Sequence, residues 1–378
     1  MEPIGLYLHV PFCLSKCPYC DFYSLRYTPE AAARYTEALL RAIDRAAERF
    51  SPAGQRLEAD TVYFGGGTPV LLGAEALSRL LERLSERFSL LPGCEVTLEA
   101  NPAALRLEEL CALRQAGFGR ISMGVQAADA RQLRPLGRLH TFQQAVDSVT
   151  LCRKAGFENL SVDLMLATPG QTADSISLFA QTFAQLEVPH ISGYLLTVEE
   201  GTPFARRHIE DQCPDEEQTL RLYLHAVQTL EAHGWQQYEI SNFARPGFES
   251  RHNLRYWDCR SYLGLGPSAY SFLGGERFSF PRDLEGFCAA ADPFSLVVSD
   301  GRGGDFFEYA MLRLRLAQGL RFADCARRYP QVELAPLLRR SAPLEQHGLV
   351  ERDGTRLRLT REGFLLSNAV IVELLQDY

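Results

Sequence analysis

Lysine is nearly missing from this 378-residue chain: Lys16 and Lys154 are the two lysines among 39 basic residues. That skew reads as coding bias and carries no functional weight. Positive charge is also scarce overall. The 47 acidic residues outnumber the basic ones and give a net charge of −8. This balance argues against a non-specific nucleic-acid binder, whose phosphate contacts need a basic face. No apolar run reaches the roughly 18–20 residues that span a bilayer. Residues 1–10 lack a basic start, and Pro11-Phe12-Cys13 interrupts any apolar stretch, so no secretory leader is expected. Repeats and low-complexity tracts are missing too. What remains is the composition of an ordinary globular protein, 46% hydrophobic and 23% charged. At this length a large domain plus a smaller one is expected.

A cytoplasmic chain keeps its thiols reduced, so the ten cysteines are not read as five disulfides. Seven are scattered singly and read as small buried hydrophobes. Cys13, Cys17 and Cys20 are clustered and need another account.

Strand-like and helix-like runs alternate through the first half. Strands are expected at 4–10, 61–64, 95–99, 120–125, 160–166 and 190–196. Helices are expected at 29–50, 74–88, 107–116, 141–155 and 172–186, with a capping signal at Thr28. Six βα units in series imply a parallel sheet with helical crossovers, either open or rolled into a barrel. An α/β fold with a partial (βα)6 barrel of the TIM type is the favoured reading. Polar residues and glycines gather at the C-terminal strand ends, where active sites sit in both architectures. Another helix is expected at 215–233 and a strand at 235–240. Residues 299–305 (SDGRGGD) read as a linker. Three helix-like runs, a hairpin turning at Asp353-Gly354 and a last helix at 361–375 then suggest a winged-helix-like α+β domain. The expected division is a barrel at 1–215, an extension at 216–300 and the small domain at 305–378.

The three clustered cysteines lie in C-x3-C-x2-C spacing just past the first strand. Soft thiolates suit iron–sulfur clusters and zinc. Three ligands on a four-iron cluster leave one iron open to chelate a small molecule, whereas structural zinc needs a fourth ligand, for which His9 is a candidate. The spacing, with Tyr19 before the last cysteine, resembles the radical S-adenosylmethionine (SAM) superfamily. The resemblance implies a [4Fe–4S] cluster on Cys13, Cys17 and Cys20, with SAM on the open iron. It also implies SAM contacts from Tyr7, Tyr19, Gly66, Gly67 and Thr68. Glu99 at the end of strand three would meet the ribose diol. Gln126, Arg138 and Asp163 complete the implied set, Arg138 facing the SAM carboxylate.

In order, the motifs YLHVPFCLSKCPYCDF, VYFGGGTP, EANP, SMGVQ, LGRLH, YEISNFA and RHNLRYW resemble the HemN/HemW family over nearly the whole chain. One branch of that family oxidatively decarboxylates coproporphyrinogen III; the other is a haem chaperone. Phe22 stands where the dehydrogenase branch carries a further cysteine, and only twelve residues precede Cys13. Both features point to the chaperone branch. His252-Asn253-Leu254-Arg255-Tyr256-Trp257 resembles that branch's haem-associated motif. A neutral imidazole at His252 would suit haem iron, Tyr256 and Trp257 offer flat apolar faces, and Asn253 belongs to the same implied set. Two departures stand out: Tyr270 replaces the family's usual histidine, and Ala167-Thr168-Pro169 replaces its usual Gly-Leu-Pro. The implied partners are haem and haem-acceptor proteins, respiratory and membrane-associated ones among them, with no nucleic acid. A homodimer and a peripheral membrane contact are compatible with this reading. The competing readings are a coproporphyrinogen III dehydrogenase and a zinc-stabilised winged-helix nucleic-acid binder.

Overall fold

The computed structural model describes residues 2–51 and 55–378. Six strands form its centre: β1 (Ile4–Val10), β2 (Glu58–Gly66), β3 (Ser89–Ala100), β4 (Arg120–Gln126), β5 (Asn159–Leu166) and β6 (His190–Leu195). Each pairs in parallel with the next, in chain order. The helices α1 (Pro29–Phe50), α2 (Gly73–Arg87), α3 (Leu107–Ala116), α4 (Phe142–Lys154) and α5 (Ala173–Gln185) form the crossovers. This is the expected βα array. The sheet continues beyond it on both sides, through β7 (Gln236–Gln237) and β8 (Asn242–Ala244) at one end. At the other end come β9 (Tyr262–Leu265), β10 (Tyr270–Leu273), β11 (Glu276–Ser279) and β12 (Val298–Arg302). All twelve strands belong to one sheet, which begins at β12 and ends at β7, so hydrogen bonds do not close it among the described residues.

Local chemistry explains the crossovers. Thr28 caps α1 by accepting the Ala31 N–H, with a proline in the first turn. Ala32, Tyr35, Leu39, Ala42, Ile43 and Ala46 then form one buried stripe at helical spacing. Thr141 with Gln144, and Thr172 with Ser175, make reciprocal capping boxes on α4 and α5.

The strands alternate in a way that matters for function. Leu6 and Leu8, Val62 and Phe64, Val96 and Leu98, and Ile121 and Met123 are buried in the main hydrophobic core. The intervening residues, Tyr7, His9, Tyr63, Glu99, Arg120, Ser122 and Asp163, sit at every second position and so point to the opposite face. A parallel sheet covered on both faces normally carries near-continuous apolar runs. Here one face is polar, which marks a lumen built to hold a ligand.

The C-terminal segment has its own core, in which Phe306, Tyr309, Leu320, Leu337, Leu357 and Ile371 take part. Five helices, Phe306–Arg313, Phe322–Arg328, Ala335–Gln346, Arg361–Leu365 and Ser367–Leu375, and a three-stranded sheet of Leu320–Arg321, Arg356–Leu359 and Val350–Arg352 give it a winged-helix-like form. It is tied to the barrel by the buried Arg313, which pairs with Asp258, and by the bridge between Glu239 and Leu316.

Three expectations need correction. Residues 299–305 are not a free linker: Val298–Arg302 is an edge strand paired with β11. Gly301, at φ 84°, and a register shift let this glycine-rich segment follow the edge. The expected strand at 235–240 shrinks to Gln236–Gln237, because Trp235 turns inward and donates its indole N–H to the Val188 carbonyl. The last helix breaks at Leu366 into Arg361–Leu365 and Ser367–Leu375.

Candidate functional site

The cysteine loop leaves β1 at its C-terminal end. Phe12–Cys13 pairs in parallel with Leu25–Arg26, which pins both feet of the loop. The Cys20 N–H donates to the Cys17 carbonyl and the Tyr27 N–H to that of Cys13. All three thiols are free and half-buried. Burial is the main cause that raises the pKa of Cys13 and of Cys20, so metal capture there must displace protons.

A hydrogen-bonded ring braces two of the thiols. Thr68 Oγ1 donates to Cys13 Sγ at 3.7 Å, and Asn101 Nδ2 donates to Thr68 Oγ1 at 2.8 Å. Arg138 donates to Asn101 Oδ1 at 2.5 Å, to the Gly124 carbonyl at 2.5 Å and to Cys17 Sγ at 3.5 Å. Arg138 thus places a positive charge against the Cys17 sulfur. Asn101, the hub of this ring, was absent from the residues singled out by sequence; its signal was the Asn-Pro that ends strand three.

The glycine motif after β2 is packed against the protein's own chain. A Cβ on Gly67 would lie 2.5 Å from the Phe12 carbonyl oxygen, and one on Gly66 (φ 108°) would lie 2.6 Å from the His9 ring. The Gly66 N–H donates to Glu99 Oε2 at 3.0 Å, and the Tyr63 hydroxyl donates to Oε1 at 2.8 Å. His9 Nε2 contacts the Tyr23 carbonyl at 2.9 Å, and Nδ1 contacts the Tyr7 hydroxyl at 3.0 Å. Donation from Nε2–H fixes Nδ1 as the acceptor. His9 is therefore occupied in holding the loop.

Below the cysteines lies a cavity of ≈ 640 Å³. Tyr19, Cys20, Glu99 and Asp163 line it, with Phe22 at the exposed rim. Burial chiefly, then the Glu99 charge, pushes the Asp163 carboxyl up to about 7. Burial likewise raises Glu99. Gln126 adopts φ 76°, uncommon for a residue with a side chain, where β4 shifts register against β5. Its Oε1 accepts the Tyr194 hydroxyl at 2.9 Å.

The H-N-x-x-Y-W segment forms a short helix, Arg251–Trp257, under the opposite end of the barrel. Glu95 accepts the backbone N–H groups of Arg251 and His252, and the buried Arg255 pairs with Asp60. His252 is 1% exposed. Its Nδ1 meets Thr61 Oγ1 at 2.8 Å and its Nε2 meets the Tyr256 hydroxyl at 2.8 Å. Neither nitrogen is free for iron in this arrangement. Tyr256 packs edge-on against Tyr262, with ring centroids 4.6 Å apart. Trp257 is half-buried. Of this helix, Asn253 is the residue that lines the cavity. Tyr270 is exposed at the head of β10.

The model of the radical SAM superfamily matches residues 7–183, and that of the HemN C-terminal domain matches residues 305–366. A Mycobacterium tuberculosis protein named heme chaperone HemW is 37% identical, covering 99% of this chain and 95% of its own. The chain belongs to the HemW family. Proteins of the same name from Lactococcus lactis and Bacillus subtilis are each 33% identical, over 100% and 96% of this chain and 98% and 97% of theirs. Among solved structures, Escherichia coli coproporphyrinogen III oxidase (HemN), described as a radical SAM enzyme, matches with a TM-score of 0.84. That match covers 100% of this chain and 91% of the other at 24% identity, and so is a likeness of fold.

Membership of the radical SAM superfamily brings a [4Fe–4S] cluster and SAM. The donor set fits them. No three His, Cys, Asp or Glu side chains among the described residues converge closely enough for one shared metal ion. A cluster needs no such convergence, because each thiolate takes its own iron. The nucleic-acid and zinc alternative falls with the family assignment.

Proposed function

We propose that the chain binds haem and passes it to acceptor proteins, using a barrel that carries a [4Fe–4S] cluster and SAM. The observation that supports this reading is the full-length similarity to proteins named heme chaperone HemW. Cys13, Cys17 and Cys20 would hold the cluster, which when bound supplies an open iron for the amino-acid end of SAM. Thr68, Asn101 and Arg138 brace the thiolates and offer a cation to the SAM carboxylate. Glu99, already accepting from Tyr63 and the Gly66 N–H, presents a fixed carboxylate toward the ribose. Tyr7, Tyr19, Gln126 and Asp163 would enclose the rest of SAM.

Haem would enter through the mouth, past Tyr19 and Phe22. With both nitrogens of His252 engaged, that residue is a positioning group for the helix that floors the lumen. The protein would act in the cytoplasm. Any exchange with a membrane-bound respiratory acceptor would be peripheral, since no described helix is long and apolar enough to cross a membrane.

The competing dehydrogenase reading rests on likeness of fold. One experiment separates the two. The anaerobically reconstituted protein is given coproporphyrinogen III, SAM and a reductant, and in parallel is loaded with haem and mixed with an apo-acceptor. Haem transfer without porphyrinogen turnover is expected. Catalytic decarboxylation would overturn the proposal.

A further inference from the structure

Arg120 begins β4 and sits in the lumen, 2% exposed. Its side chain makes no hydrogen bond and no ion pair among the described residues, and its Nε is a buried donor without an acceptor. Its guanidinium lines the cavity beneath Glu99 and Asp163, next to Ser122, Asn242 and Asn253. Both acids lie close enough to feel its charge, which lowers their pKa values against the larger effect of burial, but neither bonds to it. Glu99 spends its oxygens on Tyr63 and the Gly66 N–H, and Asp163 lies across the cavity wall beside Ser192. Burial also raises the pKa of both acids, which lowers their repulsion of an incoming anion. Two more polar atoms go unanswered nearby. Thr97 Oγ1 belongs to the residue paired in register with Arg120, and Asn242 Oδ1 belongs to a residue of the same cavity wall.

A buried guanidinium whose donors find no acceptor is costly even with acids nearby. A fold keeps one where something outside the chain completes it. A planar guanidinium fork matches a carboxylate with two parallel hydrogen bonds. Above Arg120 the cavity wall turns apolar and aromatic, through Met165, Tyr194, Leu195, Leu196 and Tyr19. The complementary ligand carries a carboxylate at one end of a flat apolar body.

We infer that Arg120 is the carboxylate anchor of the lumen and receives a propionate of the bound porphyrin. This rests on the haem reading above and adds to it the orientation of the ligand, propionate down and macrocycle toward the mouth. SAM also carries a carboxylate, so the test must tell the two apart.

Haemin and haemin dimethyl ester, which lacks free propionates, are titrated against the parent protein, Arg120→Gln and Arg120→Lys, all with the cluster in place. SAM is titrated against the same three. The parent is expected to bind haemin at least tenfold more tightly than the ester, the effect of one charge-assisted bonded pair. Arg120→Gln should lose that preference while keeping its affinity for the ester and for SAM. Arg120→Lys should keep part of the preference, which shows that loss in the glutamine variant is not misfolding. Equal affinity for haemin in the parent and in Arg120→Gln overturns the anchor and leaves the haem reading standing. A loss confined to SAM gives Arg120 to that carboxylate and overturns the propionate assignment. If the parent binds neither porphyrin, both the anchor and the haem reading fall.

Discussion

His252→Ala should cost stability and leave haem iron without a changed ligand. The ring stacks on Tyr63 at 5.1 Å between centroids and meets Tyr256 edge-on at 5.2 Å. Its removal leaves Thr61 Oγ1 and the Tyr256 hydroxyl without their partners. Each buried group left unsatisfied costs about 1–3 kcal/mol, and the vacated ring space adds to that. A total of about 3–5 kcal/mol follows, a fall of roughly 4–6 °C in Tm for a chain of this size. A second signature is pH. Burial lowers the pKa of His252 to about 3, whereas an unfolded imidazole titrates near 6.5. The unfolded chain therefore takes up the proton first. The stability owed to the neutral ring is complete above pH ~6.5 and is lost as pH falls toward 3. At pH 5 that loss is about 2 kcal/mol. His252→Gln, which keeps hydrogen-bonding capacity but does not titrate, should flatten this acid limb. The assays are thermal unfolding of the metal-free protein between pH 5 and 8, and the absorption spectrum of its haem complex. An unchanged Tm in His252→Ala, together with a shifted or lost haem spectrum, would refute the reasoning and make His252 an iron ligand.

Asp163→Asn should stabilise the ligand-free protein and weaken SAM binding. The folded carboxyl titrates at about 7 and the unfolded one near 3.9, so ionisation penalises the fold increasingly between those values, by up to about 4 kcal/mol at pH 8. Denaturant titration at pH 8 checks the sign, and a less stable variant would contradict it. Gly66→Val should damage the cluster and SAM binding together, because its Cβ falls 2.6 Å from the His9 ring; an intact cluster with only SAM lost would contradict that packing account. Any of Cys13→Ala, Cys17→Ala or Cys20→Ala should lower iron and acid-labile sulfide in step after anaerobic reconstitution. Full iron content in one of them removes that residue from the ligand set.

Much of the barrel was legible because each local signal agreed with the fold. The strand at 58–66 ends in glycine, that at 120–126 ends in glutamine and that at 4–10 runs on to Cys13, while the Thr28, Thr141 and Thr172 caps mark where helices start. Boundaries drifted where sequence preference is weak. Ser299–Arg302 has linker composition and became a strand because β11 offered an unpaired edge. Trp235 belongs to no strand because its indole found the Val188 carbonyl across the fold. Site residues divided along the same line. Cysteine spacing is local and readable, while the Thr68–Asn101–Arg138 ring joins three loops and exists only once the strands are in register.

The period-two alternation of the strands held one more message. Tyr7 and His9 in β1, Tyr63 in β2, Thr97 and Glu99 in β3, Arg120 and Ser122 in β4, and Ser161 and Asp163 in β5 share the lumen face by register. In a parallel sheet under helices, polar residues at every second position on five neighbouring strands are a costly choice, since each needs a partner in a dry interior. Most have one. Tyr7 holds His9, Tyr63 holds Glu99, and Ser161 holds His190. Arg120 and Thr97 do not. A lumen that satisfied itself throughout would be a structural core, whereas one that leaves a cation and a hydroxyl in adjacent strands open is shaped around an absent acceptor. The unanswered groups, more than the satisfied ones, therefore mark where a ligand belongs. They lie toward the His252 end of the barrel, away from the cysteines, so a ligand that meets both Arg120 and the cluster must run along the barrel axis.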